Sequence, residues 1–500
     1  MPIDAPPTGS VPAVGSVPPG EAAVAPTEGL DVWVLGLAGL AGLVLRLVAL
    51  TGRLGALDSD EAVVGLMAGD ILDGRPTAFF WGQHYAGTAE TALVAAAFAV
   101  AGTGVIALKG VSLGLSAVAA VLVWRVGRRA VDERSAQVAA LLLWVAPAAY
   151  LWLATKARGY YWVALIVGLL LVLAAQRIAQ DGSRGRDWAL LGAAAGLGWW
   201  TSPTIAYFAV PAGAWLLLGR PPLRRAWLAV PPALVCAAPW LWHNAETRLS
   251  SLHQPPQPEQ AGYLTGVGRL VWQGIPLALD LRRPVTVSWY LGGAIAYLAV
   301  LAGIGWALAR RRDRPVLVLV GVAAYPWIYA AFPGRWYVGD GRYALFLAPF
   351  LFLLLAWAAR TRLAQSLLLV VATVLSVAGL QAIPHDPTRD YGEDIAVLRD
   401  AGIDHLWSDY WVSYRLMFES DLEIVSSSGL YQRSESILDE VAASERPAWA
   451  YFKGDGRVAG LREALAGLGV RTELVPTTHF DVVVADGRVD PEAVPPALRI

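Results

Sequence analysis

The chain has 500 residues, 56% of them hydrophobic and only 16% charged. That ratio excludes a water-soluble globular protein and indicates a polytopic membrane protein. The net charge of −1 gives no reason to expect a nucleic-acid partner, and the single cysteine, Cys236, leaves neither an internal disulfide nor a cysteine-rich metal site.

Residues 1–30 are rich in Pro, Ala, Gly and Val and carry no Lys or Arg. They lack the basic start and compact apolar core of a secretory signal and are expected to be a disordered cytoplasmic tail. Apolar runs of crossing length follow at 31–52, 107–124, 135–153, 160–176, 188–201, 203–218, 226–243, 288–309, 315–332, 342–358 and 363–383. Basic clusters punctuate every second loop: Arg125/Arg128/Arg129/Arg134, Arg177/Arg184/Arg186, Arg220/Arg224/Arg225, Arg310/Arg311/Arg312/Arg314 and Arg360/Arg362. The positive-inside rule puts all five in the cytoplasm, which with about eleven crossings leaves the N-terminus inside and the C-terminus outside. Counting 89–106 as a further span would put the Arg125–Arg134 cluster outside, so that run is assigned to a re-entrant or surface-lying helix of the first external loop, 53–106. Lysine is scarce (Lys109, Lys156 and Lys453) while Arg, Ala, Gly and Val abound, as in GC-rich bacterial coding.

The expected fold is thus an α-helical polytopic membrane unit over 31–383, followed by a small extracytoplasmic α/β domain over 384–500. In that last segment, helices at 394–401, 409–419, 435–443 and 457–467 alternate with strands at 405–408, 423–426, 448–452 and 480–485. Gly454-Asp455-Gly456 with Gly460 lacks the spacing of a dinucleotide fingerprint and reads as a turn.

The first external loop opens on Asp58-Ser59-Asp60-Glu61. Asp58 and Glu61 fit a capping box, and Gly74 and Pro76 end the same helix. Val63, Val64, Met67, Ile71 and Leu72 give it an apolar face, so the helix is expected to lie in the membrane interface. Capping does not account for Asp60. A third carboxylate beside a low-dielectric membrane is placed as a general base would be.

"DSDEAVVGLMAGDILDG" followed by "FFWGQHYAGTAET" resembles the first external loop of membrane glycosyltransferases of the GT-C superfamily, in pattern the family-39-like group of protein O-mannosyltransferases and lipid A aminoarabinose transferases. "GLGWWTSP" (196–203), "PWLWHN" (239–244) and "GRYALFLAP" (341–349) are similar to later pieces, and the likeness spans roughly residues 31–383. The resemblance implies that the Asp of an Asp-Glu pair after the first span is the catalytic base, here Asp60 with Glu61. It also implies a polyprenyl-phosphate-linked sugar as donor. Relatives often carry an acidic residue in the second short external loop, where this chain has "ATKARGYY" (154–161), so no catalytic metal and no cofactor are expected.

A phosphate is already a good leaving group when cations hold its charge. One carboxylate then suffices and the anomeric centre is expected to invert, whereas glycosidases need a paired acid. Lys156, Arg158, Arg335 and Arg342 are the candidate donor-phosphate ligands, with interfacial snorkelling as the competing role. Candidate sugar- or acceptor-binding residues are His84, Tyr85, Glu90, Trp200, His243, Asn244 and Tyr343, with Tyr160, Trp199 and Trp336 on the same face. His385 and Asp386 lie in a linker that could approach the site. Competing readings are a glycolipid transporter or flippase, an oligosaccharide polymerase or ligase using a diphosphate-linked donor, and an inactive scaffold. Few charges inside the runs, Arg46 chief among them, and no repeated halves weigh against a transporter. Expected partners are the lipid-linked donor, a lipid, glycan or protein acceptor, and membrane lipids.

Overall fold

The computed structural model describes residues 28–252, 262–332, 338–339, 341–384, 388 and 390–500. Arg335, Trp336, His385, Asp386 and most of the 1–30 tail lie outside the described residues. All eleven apolar runs are largely helical, but among the described residues only five helices are long and apolar enough to cross a membrane: α1 (Val32–Thr51), α4 (Val105–Ala130), α7 (Tyr161–Gln180), Gly293–Arg310 and Arg362–Gln381. The others are shorter or interrupted. The 135–153 run breaks at Pro147, which has no N–H to continue the ladder. It forms α5 (Glu133–Val145) and α6 (Ala148–Leu153), and the buried Asp280 carboxylate caps the second piece, accepting from Ala148 N at 3.1 and 3.0 Å. The 226–243 run divides into a 3-10 stretch and two short helices. Here the helix Gly185–Thr201 approaches closely: a Cβ at Gly192 or Gly196 would lie 1.9 or 2.1 Å from the carbonyl oxygens of Ala229 and Ala233.

The 89–106 run ends as a helix at Ala101 (α3, Ala89–Ala101). At about 1.5 Å per residue its 13 residues span only about 20 Å, short of a bilayer core. Part of the expected 244–287 loop is helical: Tyr263–Arg269 continues through a π turn, Leu270–Gly274, into Ile275–Leu277. Hydrogen bonds from Tyr263 Oη to Trp327 O (2.9 Å) and from Tyr297 Oη to Val271 O (2.7 Å) hold it to the bundle. Arg46, buried in α1, is a packing residue. Its guanidinium lies 3.8 Å from the Trp144 ring and donates to Gly42 O, Trp144 O and Ser116 Oγ.

Cross-loop bonds bring all five basic clusters to one end of the bundle. Arg129 pairs with Asp181 at 2.9 Å, Ser183 Oγ donates to Pro222 O, Ser135 Oγ to Ala356 O, and Trp357 Nε1 to Asp313 O. The acidic loop sits at the other end, because Lys109, near the start of α4, reaches Glu61. The twenty residues from Lys109 to Arg129 correspond to about 30 Å of helix, the thickness of a hydrocarbon core.

After residue 390 the chain forms a mixed five-stranded sheet, order β4-β3-β5-β7-β6. Its strands are β3 (His405–Ser408), β4 (Val425–Ser427), β5 (Ala448–Phe452), β6 (Thr472–Pro476) and β7 (Phe480–Ala485), numbered after the two strands, β1 (Phe79–Phe80) and β2 (Gln83–Gly87), of a hairpin in the first loop. β3 pairs in parallel with β4 and β5, and β7 is antiparallel to β5 and β6. Val482 and Val484 of β7 pack with helices Gly392–Asp400 and Tyr410–Glu419, while Val483 and Ala485 pack with Glu435–Ala442 and Arg457–Gly467. This is the period-two alternation of a sheet covered on both faces. Sequence reading misses β6, a half-exposed edge strand ending in Pro476.

The helix Tyr410–Glu419 has two apolar sides. Val412 and Leu416 face the sheet, whereas Tyr410, Tyr414 and Met417 join the core of the membrane unit. There it covers α2 (Ser59–Leu72), where Phe418 fills the space left by Gly65; a Cβ on that glycine would lie 2.3 Å from the ring. The acidic helix therefore does not lie in the interface as expected. Glu61 through Ala68 are buried without interruption, because apolar residues surround the helix and a distant segment closes over it.

Candidate active site

The capping box at the start of α2 is present. Asp58 Oδ1 accepts from Glu61 N at 3.1 Å, and Glu61 Oε2 accepts from Asp58 N at 3.3 Å. The three carboxylates, consecutive but for Ser59, take separate sets of partners.

Glu61 points into the protein and is fully buried. Lys109 Nζ donates to both its oxygens (2.6 and 2.7 Å), Lys156 Nζ to Oε2 (2.9 Å) and Ala157 N to Oε1 (3.2 Å). Two of the chain's three lysines thus converge on one carboxylate. Lys156, expected as a donor-phosphate ligand or a snorkelling anchor, is 4% exposed and also donates to Ala56 O at 2.6 Å. Its charge is committed inside the protein. Lys109 escapes the sequence reading although a lone lysine in an apolar run is itself a signal of a buried partner.

Asp58 takes Arg158 Nη2 at 2.7 Å and Lys156 at 3.4 Å. Burial works to raise its pKa, but Arg158 and then Lys156 outweigh it and hold the carboxyl well below the usual carboxylate range. This side opens on a cleft of about 240 Å³ lined by Arg53, Asp58, Trp152, Lys156, Trp411 and Arg415, among others. Lys156 and Arg158 therefore serve the Asp58 side of the helix rather than the Asp60 side.

Asp60, at the second helical position, faces the other way. Tyr410 Oη donates to its Oδ1 at 2.5 Å and Arg433 Nη2 to the same oxygen at 3.0 Å; among the described residues Oδ2 accepts no hydrogen bond. Arg433 Nε donates to Tyr410 Oη at 3.0 Å, and the guanidinium lies 5.2–5.5 Å from the rings of Phe80, Tyr410 and Tyr431. With its amide oxygen turned toward it, Gln83 of β2 accepts from the same guanidinium. Burial, and then the Asp60 carboxylate, push the Tyr410 phenol far above its usual pKa, so it remains a donor.

Beside this group stands Tyr85, whose hydroxyl is within electrostatic reach of Tyr343, Arg433, Tyr431 and Arg342. Arg342 lies 6.0 Å from the Tyr161 ring and 5.8 Å from that of Tyr343. Of the residues singled out in the sequence, Tyr85, Arg342 and Tyr343 thus neighbour one another, and Asp60 is joined to them through Arg433. Arg433, Tyr410, Tyr431 and Gln83 join them with no sequence signal, three of them from the C-terminal α/β unit.

The remaining candidates fall elsewhere. Glu90 is buried between α3 and α4, accepting from Ser112 Oγ at 3.3 Å. Trp200 Nε1 donates to Ala78 O at 2.8 Å and ties the bundle to the hairpin. Asn244 is buried and fastens its own chain, donating to Trp240 O and accepting from Ser251. His84 and His243 pack around Phe79, their ring centroids 5.3 Å apart. Among the described residues no group of three or more His, Cys, Asp or Glu side chains is arranged to hold a metal.

The resemblance seen in the sequence holds at two levels. Residues 90–243 match the family described as dolichyl-phosphate-mannose-protein mannosyltransferase. Over most of its length the chain is similar in fold to ArnT from Cupriavidus metallidurans. Against its apo state the TM-score is 0.59 at 14% identity, covering 93% of this chain and 99% of that one. Against ArnT bound to undecaprenyl phosphate it is 0.61 at 12% identity, covering 90% and 98%. The Archaeoglobus fulgidus oligosaccharyltransferase in complex with Zn and sulfate is similar at a TM-score of 0.50 and 14% identity, covering 83% of this chain and 68% of that one. No curated protein sequence matches the chain.

Proposed function

We propose that this protein is an inverting glycosyltransferase that moves a sugar from a polyprenyl-phosphate donor to an acceptor hydroxyl. The reaction takes place at the outer face of a bacterial plasma membrane, with Asp60 as general base. One observation carries this reading: Asp60 shares no partner with the buried Glu61 cluster and meets instead Tyr410 and Arg433, the latter standing with Arg342 and Tyr343 within electrostatic reach of Tyr85. The similarity in fold to ArnT, solved with undecaprenyl phosphate, supports the donor class.

In this scheme Oδ2 takes the acceptor's proton as the acceptor oxygen attacks the anomeric carbon. The bond from that carbon to the phosphate oxygen breaks, and polyprenyl phosphate leaves with the electron pair. Arg342 holds the phosphate charge. Tyr85 and Tyr343 offer hydroxyls and ring faces to the sugar. Asp58 and Glu61, with Lys109, Lys156 and Arg158, position the helix that carries the base. The basic loops gathered at the opposite end, about 30 Å away, support an external active site by the positive-inside rule. The unit over 384–500 then stands outside, where it contributes to acceptor recognition.

The test is sugar transfer in purified membranes from radiolabelled polyprenyl-phospho-sugars, with analysis of the product's anomeric configuration. Transfer with inversion in the wild type, abolished by Asp60→Asn, is the expected result. Retention would sink the single-base scheme, and no transfer from any such donor would sink the enzyme reading.

A further inference from the structure

The guanidinium of Arg433 is bound in this structure to Asp60, the proposed base. Its loop is pinned on both sides: Arg433 N donates to Tyr414 Oη at 2.7 Å, and upstream Gly429 N donates to Ile500 O at 2.6 Å. The side chain is 6% exposed and bounded by three aromatic rings. From there it reaches Asp60, Tyr410 and Gln83, and it stands with Arg342 within electrostatic reach of the Tyr85 hydroxyl. A buried guanidinium ringed by aromatic side chains and held by a single carboxylate suits a phosphate anion that takes the carboxylate's place.

We propose that Arg433 is a ligand of the donor's phosphate, supplied to the membrane site by the C-terminal α/β unit, and that it is exchanged between Asp60 and that phosphate. Without donor, Asp60 is the counter-ion that keeps this buried cation neutralised. When the polyprenyl phosphate enters, its anion takes the guanidinium, and Asp60 is released from its cationic partner as the acceptor's proton needs a base. Donor binding and base availability are thereby coupled through one side chain. The assignment rests on the donor class proposed above.

The exchange has a consequence that a purely structural arginine lacks. Asp60 and the phosphate compete for the same cation, so removing the Asp60 charge strengthens phosphate binding, and only when Arg433 is present. Undecaprenyl phosphate binding to the full-length protein in detergent is measured for wild type, Asp60→Asn, Arg433→Gln, Arg433→Lys and the Asp60→Asn/Arg433→Gln double variant. Asp60→Asn is expected to bind about threefold to tenfold more tightly than wild type. Arg433→Gln is expected to bind about tenfold more weakly, with Arg433→Lys between it and wild type, and the double variant to show no gain over Arg433→Gln. Phosphatidylglycerol vesicles carry phosphate without a polyprenol and are expected to show no gain from Asp60→Asn. Equal binding by wild type and Asp60→Asn, or a gain that persists without Arg433, would overturn the exchange. An equal gain with phosphatidylglycerol would overturn the assignment to the donor. If the wild type transfers sugar but these binding differences are absent, only this inference fails; if the wild type binds no undecaprenyl phosphate, the donor reading itself falls and takes the inference with it.

Discussion

Glu61 and Lys109 meet at 2.6 Å with neither side chain more than 1% exposed, and Lys156 joins them at 2.9 Å. The cluster links α2 to α4 and to the turn after α6, so it fixes the direction in which Asp60 points. Removing one partner of a buried pair leaves an uncompensated charge. Glu61→Gln leaves two ammonium groups facing each other and is expected to cost about 3–5 kcal/mol of stability. Thermal unfolding of the purified protein in detergent checks this, and Glu61→Asp is expected to recover only part of the loss because the shorter acid cannot span both lysines.

Asp58 and Asp60 are two residues apart but should behave differently when neutralised. Asn is as good an N-cap as Asp, so Asp58→Asn keeps the cap and most of the activity. Asp60→Asn removes the proposed base and is expected to lower turnover about 10²–10⁴-fold, and to lower the unfolding temperature as well because it leaves the buried Arg433 without its counter-ion. Initial rates at saturating donor, compared with melting curves of the same preparations, separate the two outcomes.

The depressed pKa of Asp58 makes a pH statement. Since Arg158 and Lys156 favour the ionised form in the folded protein, the stabilisation is present above the unfolded value of about 3.9 and is lost as pH falls through the folded value. The difference in melting temperature between wild type and Asp58→Asn should therefore be constant from neutral pH down to about 4, and shrink only below that. A difference that vanished between pH 7 and 5 would contradict the ion pair.

Gly65 accepts the Phe418 ring where any larger residue would collide. Gly65→Val is expected to destabilise the contact between α2 and helix Tyr410–Glu419 by about 1–3 kcal/mol. Because that helix carries Tyr410, sugar transfer should fall as well. Reducing the ring in Gly65→Val/Phe418→Ala should restore part of both, as read by limited proteolysis and by transfer assays.

How far the sequence reaches differs from element to element. The helices in the apolar runs, the basic loops between them and the capping box of Asp58 and Glu61 were legible, since hydropathy, charge and cap chemistry are local. Strands β3, β5 and β7 were equally plain as short apolar runs between turns. The lengths of the crossing helices were less so: the break at Pro147 and the helix over 263–277 depend on what packs beside them.

The sequence by itself determined a chain of many apolar, membrane-crossing runs with three carboxylates at the start of one helix, because periodicity, composition and spacing are properties of neighbouring residues. Only the tertiary structure decided which carboxylate meets which cation. Helix spacing brings Lys109 and Lys156 to Glu61, and Arg158 to Asp58. Closure of the C-terminal unit brings Arg433 to Asp60 across 373 residues. A charge in a low-dielectric site is defined by the partner that neutralises it, and those partners lie tens to hundreds of residues away along the chain.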